Sequence, residues 1–293
     1  MNERKIWNYY DVLHRQNPLP DSPKKIQYYQ SNRDNIISAN TNLSPQAAIV
    51  LSAHNEARLL PRTLASINSA LLGMNHLFPV SVVVVNNAST DATSFIAQEF
   101  GTKLICEPEK GLARARQTGL ESVEPSVQFI FGTDADTVVP YNWLVNHLKS
   151  LIDPNIVFTY GKINYQQDFT DDPMTHILFM VYSQIATLVQ KLKPNHLLRG
   201  AGGANCGFSV DAAKQVGGYN TNLVRGSDTD LMIKLAKIGG LMFVYDTEVI
   251  TSNRSIVYQR GLFLFVLRKI YCNIVYYSTG HYPDANWLKL KRR

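Results

Sequence analysis

The chain has few cysteines, no long apolar run and no internal repeat, and each absence narrows the classes of protein that fit it. Its cysteines, Cys106, Cys206 and Cys272, lie far apart and form no C-x-x-C pair. We therefore expect neither a disulfide framework nor a cysteine-based zinc site. No stretch approaches the about 18 apolar residues that a membrane-spanning helix requires. No apolar signal core follows the first residues, so we expect no export signal and a cytoplasmic location.

What remains is an ordinary globular composition with a basic surplus. The 293 residues are 45% hydrophobic and 18% charged, which is enough for one large domain or two smaller ones. The formal net charge is +6. A surplus of this kind suits nucleic acid, an anionic membrane surface or a phosphorylated substrate, and it also occurs for solubility alone. Of these partners, we expect no nucleic acid.

Strand and helix patterns alternate along the first half of the chain. Apolar runs typical of strands covered on both faces occur at 47–51, 80–85, 103–106 and 127–131. Leucine and isoleucine recur at helical spacing over 59–72, and further helices are predicted after Ser89–Asp91 and from Gly111. This order predicts an α/β fold with a mostly parallel sheet and helices on both faces. The carboxyl ends of such strands share one edge, where ligands bind.

The second half is less regular and predicts a smaller, antiparallel portion. The pattern at 156–165 is that of an antiparallel strand, and 241–250 reads as another strand. Residues 198–205 are rich in Gly and Ala and predict a loop. Helices are predicted at 173–192, 211–216, 228–238 and 260–278.

We divide the chain into three parts: an irregular leader at 1–46, a main domain at 47–250 and a C-terminal helix with a basic tail at 251–293. The main domain has two halves, at 47–140 and 141–250, and the family resemblance given below implies that the first binds a nucleotide and the second an acceptor. Aromatic, aliphatic and basic residues mix in the last part. This mixture is typical of a helix at a membrane interface, and equally of a helix packed on the domain.

Polar clusters follow three of the predicted strands, at Ser52–Glu56, Asn86–Ser89 and Asp134–Asp136. In the last cluster, two aspartates separated by one residue end a buried strand, where they can reach one divalent ion together. Mg²⁺ and Mn²⁺ prefer carboxylate and phosphate oxygens. Such an ion would neutralise the charge that develops on a diphosphate leaving group. A solvated turn is the alternative for this triplet.

The order of these segments resembles that of the family 2 glycosyltransferases, which have the GT-A fold. The resemblance rests on SAHNE at 52–56, VVNNASTD at 84–91, KGLARAR at 110–116, TDAD at 133–136, GANCGF at 203–208, GGY at 217–219 and GSDTDL at 226–231. It implies an inverting hexosyl- or N-acetylhexosaminyl-transferase that uses Mn²⁺ or Mg²⁺. The implied donor is a nucleotide-sugar, with a UDP-sugar preferred, and the implied acceptor is a saccharide or a lipid-linked sugar.

The resemblance also implies roles for individual residues. By match to the family's motif, Asp228 is the catalytic base, Asp230 is the competing candidate, and helix capping is the alternative for Asp228. Ser227 stands where the family usually has Glu. Asn86 stands where the family often has an acidic residue that accepts a hydrogen bond from the nucleobase. Because an amide both accepts and donates, GDP and dTDP stay open beside UDP.

Ser52 and Glu56 are predicted to line the nucleotide pocket, and Asn205 is predicted to contact the acceptor or the donor sugar, with a flexible connection as the alternative for its loop. Ser52 and Glu56 follow the first strand, and a helix cap is the alternative for Glu56. Asn205 ends a loop of small residues that lets a sugar or an acceptor approach the backbone closely. His54 is predicted to be a hydrogen-bonded structural residue.

Three basic residues lie at the start of the helix that Gly111 opens. A helix N-terminus and a cation both favour phosphate, and Lys110 is the preferred phosphate contact. Arg114 and Arg116 face different ways on one helix, so at most one of them reaches the site. Solvated charges are the alternative for each of the three.

Two other functions remain as alternatives. A nucleotidyltransferase has a similar architecture, but it usually carries a Gly-rich basic loop after the first strand, where this chain has Ser52–Glu56. An inactive nucleotide- or carbohydrate-binding module is disfavoured because Asp134, Asp136 and Asp228 are all present. The oligomeric state is not predicted.

Overall fold

The computed structural model describes residues 46–74, 79–166, 202–224 and 226–252, together with Tyr271, Val275 and Thr279. Strands and helices alternate over these residues, in the order that the sequence predicts for the first half. They are β1 (Ala47–Ala53), α1 (Leu60–Leu72), β2 (Val80–Asn87), α2 (Thr93–Glu99), β3 (Lys103–Glu107), α3 (Leu112–Ser122), β4 (Phe129–Asp134), β5 (Thr137–Val138), α4 (Trp143–Leu151), β6 (Ile156–Gln166), β7 (Cys206–Ser209), α5 (Val210–Gln215), α6 (Ser227–Leu235) and β8 (Gly240–Ser252).

The described strands form one sheet in the order β3-β2-β1-β4-β7-β6-β8-β5. β1 pairs in parallel with both β2 and β4, and β2 pairs in parallel with β3. β7 runs antiparallel to β4 and joins the second half of the chain to the first. The predicted α/β fold with a mostly parallel sheet is confirmed. The two predicted halves share this one sheet, and the exact division of the chain into domains stays a prediction.

The strand predicted at 156–165 shows where the pattern was insufficient. β6 is antiparallel to β7, as expected, but it pairs in parallel with β8 over most of its length. Alternation of apolar and polar residues reports that one face of a strand is buried, and it carries no information on the direction of the neighbouring strand. The antiparallel prediction is therefore correct for one edge of β6 and wrong for the other.

The core lies on both faces of the central strands. Residues 47–51 of β1 are buried on both sides, and they divide between two apolar clusters, one on each face of the sheet. Helix α3 packs closely on one face because Gly119 has no side chain. A Cβ there would lie 2.5 Å from Val50 Cγ1. This close seat fixes the preceding turn of α3, which carries Arg116, against the carboxyl ends of the strands.

Several predictions lie outside the described residues. They concern the leader at 1–46, the helix at 173–192 and most of the segment at 251–293. Among the residues that the structure describes, no helix combines the length and the apolar character needed to cross a membrane.

Candidate active site

The predicted polar clusters meet at one edge of the sheet. In the register of the parallel strands, Ser52 on β1 is the partner of Asp134 on β4, and Ala53 is the partner of Asn86 on β2. Three strands therefore deliver Ser52, Asn86 and Asp134 side by side at their carboxyl ends. This is the edge at which open α/β sheets bind ligands.

The two aspartates of the D-x-D triplet are held by different elements. Asp134 is the last residue of β4, and Asp136 lies in the turn that leads into β5. Arg116 Nη2 donates to Asp134 Oδ1 at 3.0 Å, from the side of α3. Thr251 Oγ1 donates to Asp136 Oδ1 at 3.0 Å, from the end of β8. The orientation of the pair is therefore set by contacts from both halves of the chain.

Arg116 is the centre of the charged site. Its Nη2 pairs with Asp134 while its Nη1 pairs with Asp228 on α6. Nη1 also donates to Ser227 Oγ at 3.3 Å. The Arg116 side chain is 10% exposed, so this guanidinium is nearly withdrawn from water and depends on its partners. One buried cation thus joins the predicted metal ligand to the predicted base.

Asp228 lies in the first turn of α6, where its role differs from the capping alternative. The N-cap residue is Gly226, whose φ of 79° turns the chain into the helix. The Asp228 side chain is 14% exposed and points to Arg116. Gly203 makes room for this ion pair, since a Cβ there would lie 2.7 Å from Asp228 Oδ1 and would overlap Arg116. The competing candidate, Asp230, pairs with Lys234 at 2.8 Å, one turn along the same helix.

The electrostatics of the site follow from burial and from these pairs. Burial, with the negative charges of Asp136 and Asp228, raises the pKa of Asp134 to about 6, against the opposing effect of Arg116. Burial opposes the charge of Arg116, but Asp228 and Asp134 outweigh it and raise the pKa of the guanidinium. The Asp134 side chain is still 37% exposed, so a ligand can reach the carboxylate from the cleft.

The donor set fits a divalent cation that shares a diphosphate. Asp134 and Asp136 offer carboxylate oxygens at the carboxyl end of β4. The charges of Asp136 and Asp228 both act on Asp134. Over the described part of the chain, no group of three or more His, Cys, Asp and Glu side chains is arranged to hold a metal. Mg²⁺ usually takes one or two carboxylates and completes its shell with substrate phosphates and water. Asp134 and Asp136 are suited to that type of site.

Asn205 lies in the same short loop as Gly203. It is fully buried, and Trp143 Nε1 and His147 Nε2 each lie 2.9 Å from its Oδ1. Its Nδ2 donates to the backbone oxygens of Lys162 and Thr247. These four bonds hold Asn205 inside the protein, so in this arrangement it braces the loop next to Gly203. The predicted contact with a sugar or an acceptor stays a prediction.

The same bonds show which ring nitrogen of His147 carries a hydrogen. Because the Trp143 indole can only donate, the amide oxygen of Asn205 must face it, and His147 Nε2 must then donate to that oxygen. His147 Nδ1 lies 2.8 Å from Thr159 Oγ1, whose single hydrogen has two acceptors in reach, this ring nitrogen and the Gly207 backbone oxygen at 3.2 Å. Burial lowers the pKa of His147 to about 4, although the bond to Asn205 acts in the opposite direction. His147 is therefore a neutral structural residue.

The remaining predicted residues occupy different environments. Asn86 uses Nδ2 to donate to Ser94 and Oδ1 to accept from the Ser89 N–H, so it also shapes the loop after β2. Glu56 lies in the turn before α1, where its backbone oxygen accepts from two later N–H groups. Lys110 is exposed in the loop before α3. None of these placements tests a contact with a nucleotide.

Ser52 and His54 lie on either side of the first strand end. The Ser52 hydroxyl is buried, lacks a hydrogen-bond partner among the described residues, and lines a small cavity with Arg116, Gly203 and Tyr219. His54 Nδ1 donates to the Asn87 backbone oxygen at 2.6 Å, which is the structural role expected from the sequence.

Arg116 is the residue that sequence reasoning undervalued. Of the two arginines on α3, it is the one that reaches the site, while Arg114 pairs with Glu109 at 2.9 Å near the surface. The buried positions of α3 include Ala113, Arg116 and Leu120, which lie on one face at helical spacing. An arginine within that apolar face was the available signal, because such a charge needs a buried partner.

Two comparisons by sequence agree on the kind of protein. The family profile described as Glycosyl transferase family 2 matches residues 48–217. Among curated proteins, the chain is similar to the glycosyltransferase AglE of Haloferax volcanii, with 28% identity over 136 residues. That alignment covers 41% of this chain and 42% of AglE, so the chain matches less than half the length of this relative.

Solved structures share the fold at low sequence identity. A mannosyltransferase from Pyrobaculum calidifontis, in complex with GDP-Man and Mn²⁺, has a TM-score of 0.58 and 17% identity, over 95% of this chain and 77% of that one. The glucosyl-3-phosphoglycerate synthase of Mycobacterium tuberculosis, in complex with Mn²⁺ and UDP-Glc, has a TM-score of 0.53 and 15% identity, over 87% of this chain and 85% of that one. This likeness shows the fold alone, and the predicted GT-A fold is confirmed.

Proposed function

The chain belongs to glycosyltransferase family 2, as its motifs predicted, and from this we propose that it is an inverting, metal-assisted glycosyltransferase. The observation that carries the proposal is the pairing of Arg116 with both Asp134 and Asp228. Two carboxylates that the sequence assigns to different steps are held on one guanidinium. A donor diphosphate at Asp134 and an acceptor hydroxyl at Asp228 would then lie next to each other.

In the proposed reaction, Asp228 takes the proton from the acceptor hydroxyl as the oxygen attacks the anomeric carbon. The bond between the sugar and the diphosphate breaks on the opposite face, and the electron pair leaves with the diphosphate. Asp134 and Asp136 would hold Mn²⁺ or Mg²⁺, which supplies positive charge for the leaving group. Arg116 keeps Asp134 and Asp228 at a fixed separation, since breaking a buried pair leaves an uncompensated charge.

For the donor, we propose a UDP-sugar, with GDP- and dTDP-sugars as the other candidates. Asn86 lies at the strand end next to Ala53, where a nucleobase would approach, and an amide can both accept and donate there. The acceptor is a saccharide or a lipid-linked sugar. Attachment to a membrane surface stays a prediction from the basic, aromatic segment 260–278, which lies almost wholly outside the described residues.

The alternative functions differ in the product that each would release. A nucleotidyltransferase would release diphosphate from a nucleoside triphosphate, whereas the proposed enzyme releases a nucleoside diphosphate from a nucleotide-sugar. An inactive binding module would bind nucleotide and show no turnover. Product analysis after separate incubations with nucleotide-sugars and with nucleoside triphosphates plus a sugar phosphate separates these three functions.

The test is a thermal-shift panel of UDP, GDP, dTDP and CMP, each with and without Mn²⁺. A ligand that binds only the native state stabilises it by about 2.7 kcal/mol at a hundred times its Kd. We expect one nucleoside diphosphate to raise the Tm in the presence of Mn²⁺. An equal rise in Tm with and without Mn²⁺, or no rise with any nucleotide, would overturn the proposal.

Matched variants assign the roles. Asp136→Asn should abolish the metal-dependent stabilisation, because it removes a charged ligand. Asp228→Asn should keep that stabilisation and lose transfer, because it removes the base. Asp246→Asn is the control, since Asp246 is exposed on β8 and should behave like the unmodified protein in both assays.

A further inference from the structure

Two buried threonines connect the last strand of the described sheet to the D-x-D turn. Thr137 on β5 and Thr251 on β8 are partners in the antiparallel register, with 0% and 6% of their surfaces exposed. Thr137 Oγ1 donates to Thr251 Oγ1 at 2.8 Å. Thr251 Oγ1 donates to Asp136 Oδ1 at 3.0 Å. The two hydroxyls and the carboxylate therefore form a continuous chain of hydrogen bonds.

The direction of this chain is fixed by chemistry. An ionised carboxylate only accepts, so the hydrogen of Thr251 must point to Asp136. Thr251 then has only lone pairs left for Thr137, so Thr137 must donate to it. Hydrogen bonds that run in one direction polarise and strengthen one another. Thr137 thus orients the hydroxyl of Thr251, and Thr251 orients the carboxylate of Asp136.

Packing alone does not account for this arrangement. Valine has nearly the shape of threonine, and it would fill the same two buried positions without a hydroxyl to satisfy. A pair of threonines across two strands can satisfy itself. Here the pair does more, because its second hydroxyl continues to the carboxylate of Asp136 in the turn after β4.

We propose that Thr251 is a positioning residue for Asp136, with Thr137 orienting Thr251 from behind. The proposal rests on the function proposed above, in which Asp136 is a metal ligand. The bond from Thr251 fixes the rotation of the Asp136 carboxylate before a cation arrives. The metal then binds a side chain that is already oriented, and less rotational freedom is lost on binding.

The experiment is a titration of the full chain with Mn²⁺, in the presence of UDP and also alone, and is read as the Kd for the metal. Loss of a group that orients a metal ligand typically weakens metal binding by about 10- to 100-fold, and we expect this for Thr251→Val. Thr251→Ser keeps the hydroxyl and should bind Mn²⁺ with the Kd of the unmodified chain. Thr137→Val should weaken binding by several-fold, because Thr251 keeps its bond but loses its orientation.

A buried threonine on the same strand supplies the matched control. Thr247 is fully buried, and its Oγ1 donates to the Val244 backbone oxygen at 2.9 Å rather than to a carboxylate. Thr247→Val should lower the Tm and leave the Kd for Mn²⁺ unchanged. This variant separates loss of stability on β8 from loss of orientation at Asp136.

The possible results distinguish failure of the positioning role from failure of the proposed metal site. An unchanged Kd in Thr251→Val, or a loss as large in Thr251→Ser as in Thr251→Val, overturns the positioning role while the proposed function stands. If Thr251→Val does not fold, Thr137→Val decides, and an unchanged Kd in that variant overturns the role. If the unmodified chain binds no Mn²⁺ under either condition, the metal site and the positioning role both fail.

Discussion

Acidification should destabilise the folded protein through His147. In the folded state, Nε2 of this buried side chain donates to Asn205, and Nδ1 lies 2.8 Å from Thr159 Oγ1. Burial lowers the pKa of His147 from its ordinary 6.5 to about 4. Protonation of His147 would place a charge in the core, and burial disfavours the charged form.

The sign and size follow from proton linkage. Between these two pKa values the unfolded chain binds a proton that the folded chain does not, so the folded state loses stability as the pH falls. The stability that neutral His147 contributes is fully present above pH 6.5. It is lost as the pH falls from 6.5 to about 4, and no further loss occurs below that. At about 1.4 kcal/mol per pKa unit, the loss is about 2 kcal/mol at about pH 5 and about 3.4 kcal/mol at its limit.

The assay is urea unfolding of the unmodified chain and of His147→Gln at about pH 7.5 and about pH 5. Glutamine keeps a donor that can reach Asn205 but does not titrate. The two proteins share all other titrating groups, so the contributions of those groups to the pH dependence cancel in the comparison. We expect the unmodified chain to lose about 2 kcal/mol more than the variant on acidification. Equal losses in the two proteins would refute the assignment of His147 as a buried neutral residue.

Two further predictions concern the charged centre. Arg116→Met should cost about 3–5 kcal/mol of unfolding free energy, because Asp134 and Asp228 then lack their buried cation. Adding Asp134→Asn and Asp228→Asn should recover much of this loss in urea unfolding, and a triple variant no more stable than Arg116→Met would contradict the pairing. Gly203→Ala should cost about 1–3 kcal/mol by overlap with Arg116 and Asp228, again by urea unfolding. Its control is Gly111→Ala, where the nearest atom to an added Cβ is 3.7 Å away, and equal losses in the two would refute the steric argument.

The sequence by itself determined the local elements and the edge on which the site lies. The valine run of β2 predicted a strand covered on both faces, and Gly111 marked the start of α3. Asp134 and Asp136 were placed correctly at the end of β4, because a motif directly after a strand moves with that strand. The spacing of apolar residues and the residues that begin or end an element are local properties of the sequence.

The tertiary structure alone decided the partners within the site. Arg116 meets Ser227 across 111 residues of sequence, and no local pattern names that pairing. For Asn205, the sequence predicts a contact with a sugar or an acceptor, and only the packed chain shows that Trp143 and His147 on α4 use its amide oxygen. Which side chains meet depends on how α3, α4 and α6 seat on the sheet.

The physical reason is the cost of an unpaired buried group. Burying a charge or an amide is unfavourable unless a partner is supplied, so the fold must bring a partner to each one. The sequence shows that a partner is needed, as for an arginine on the apolar face of α3. Only the packed chain shows which partner it is, and here the cation of Arg116 joins the carboxylates of Asp134 and Asp228.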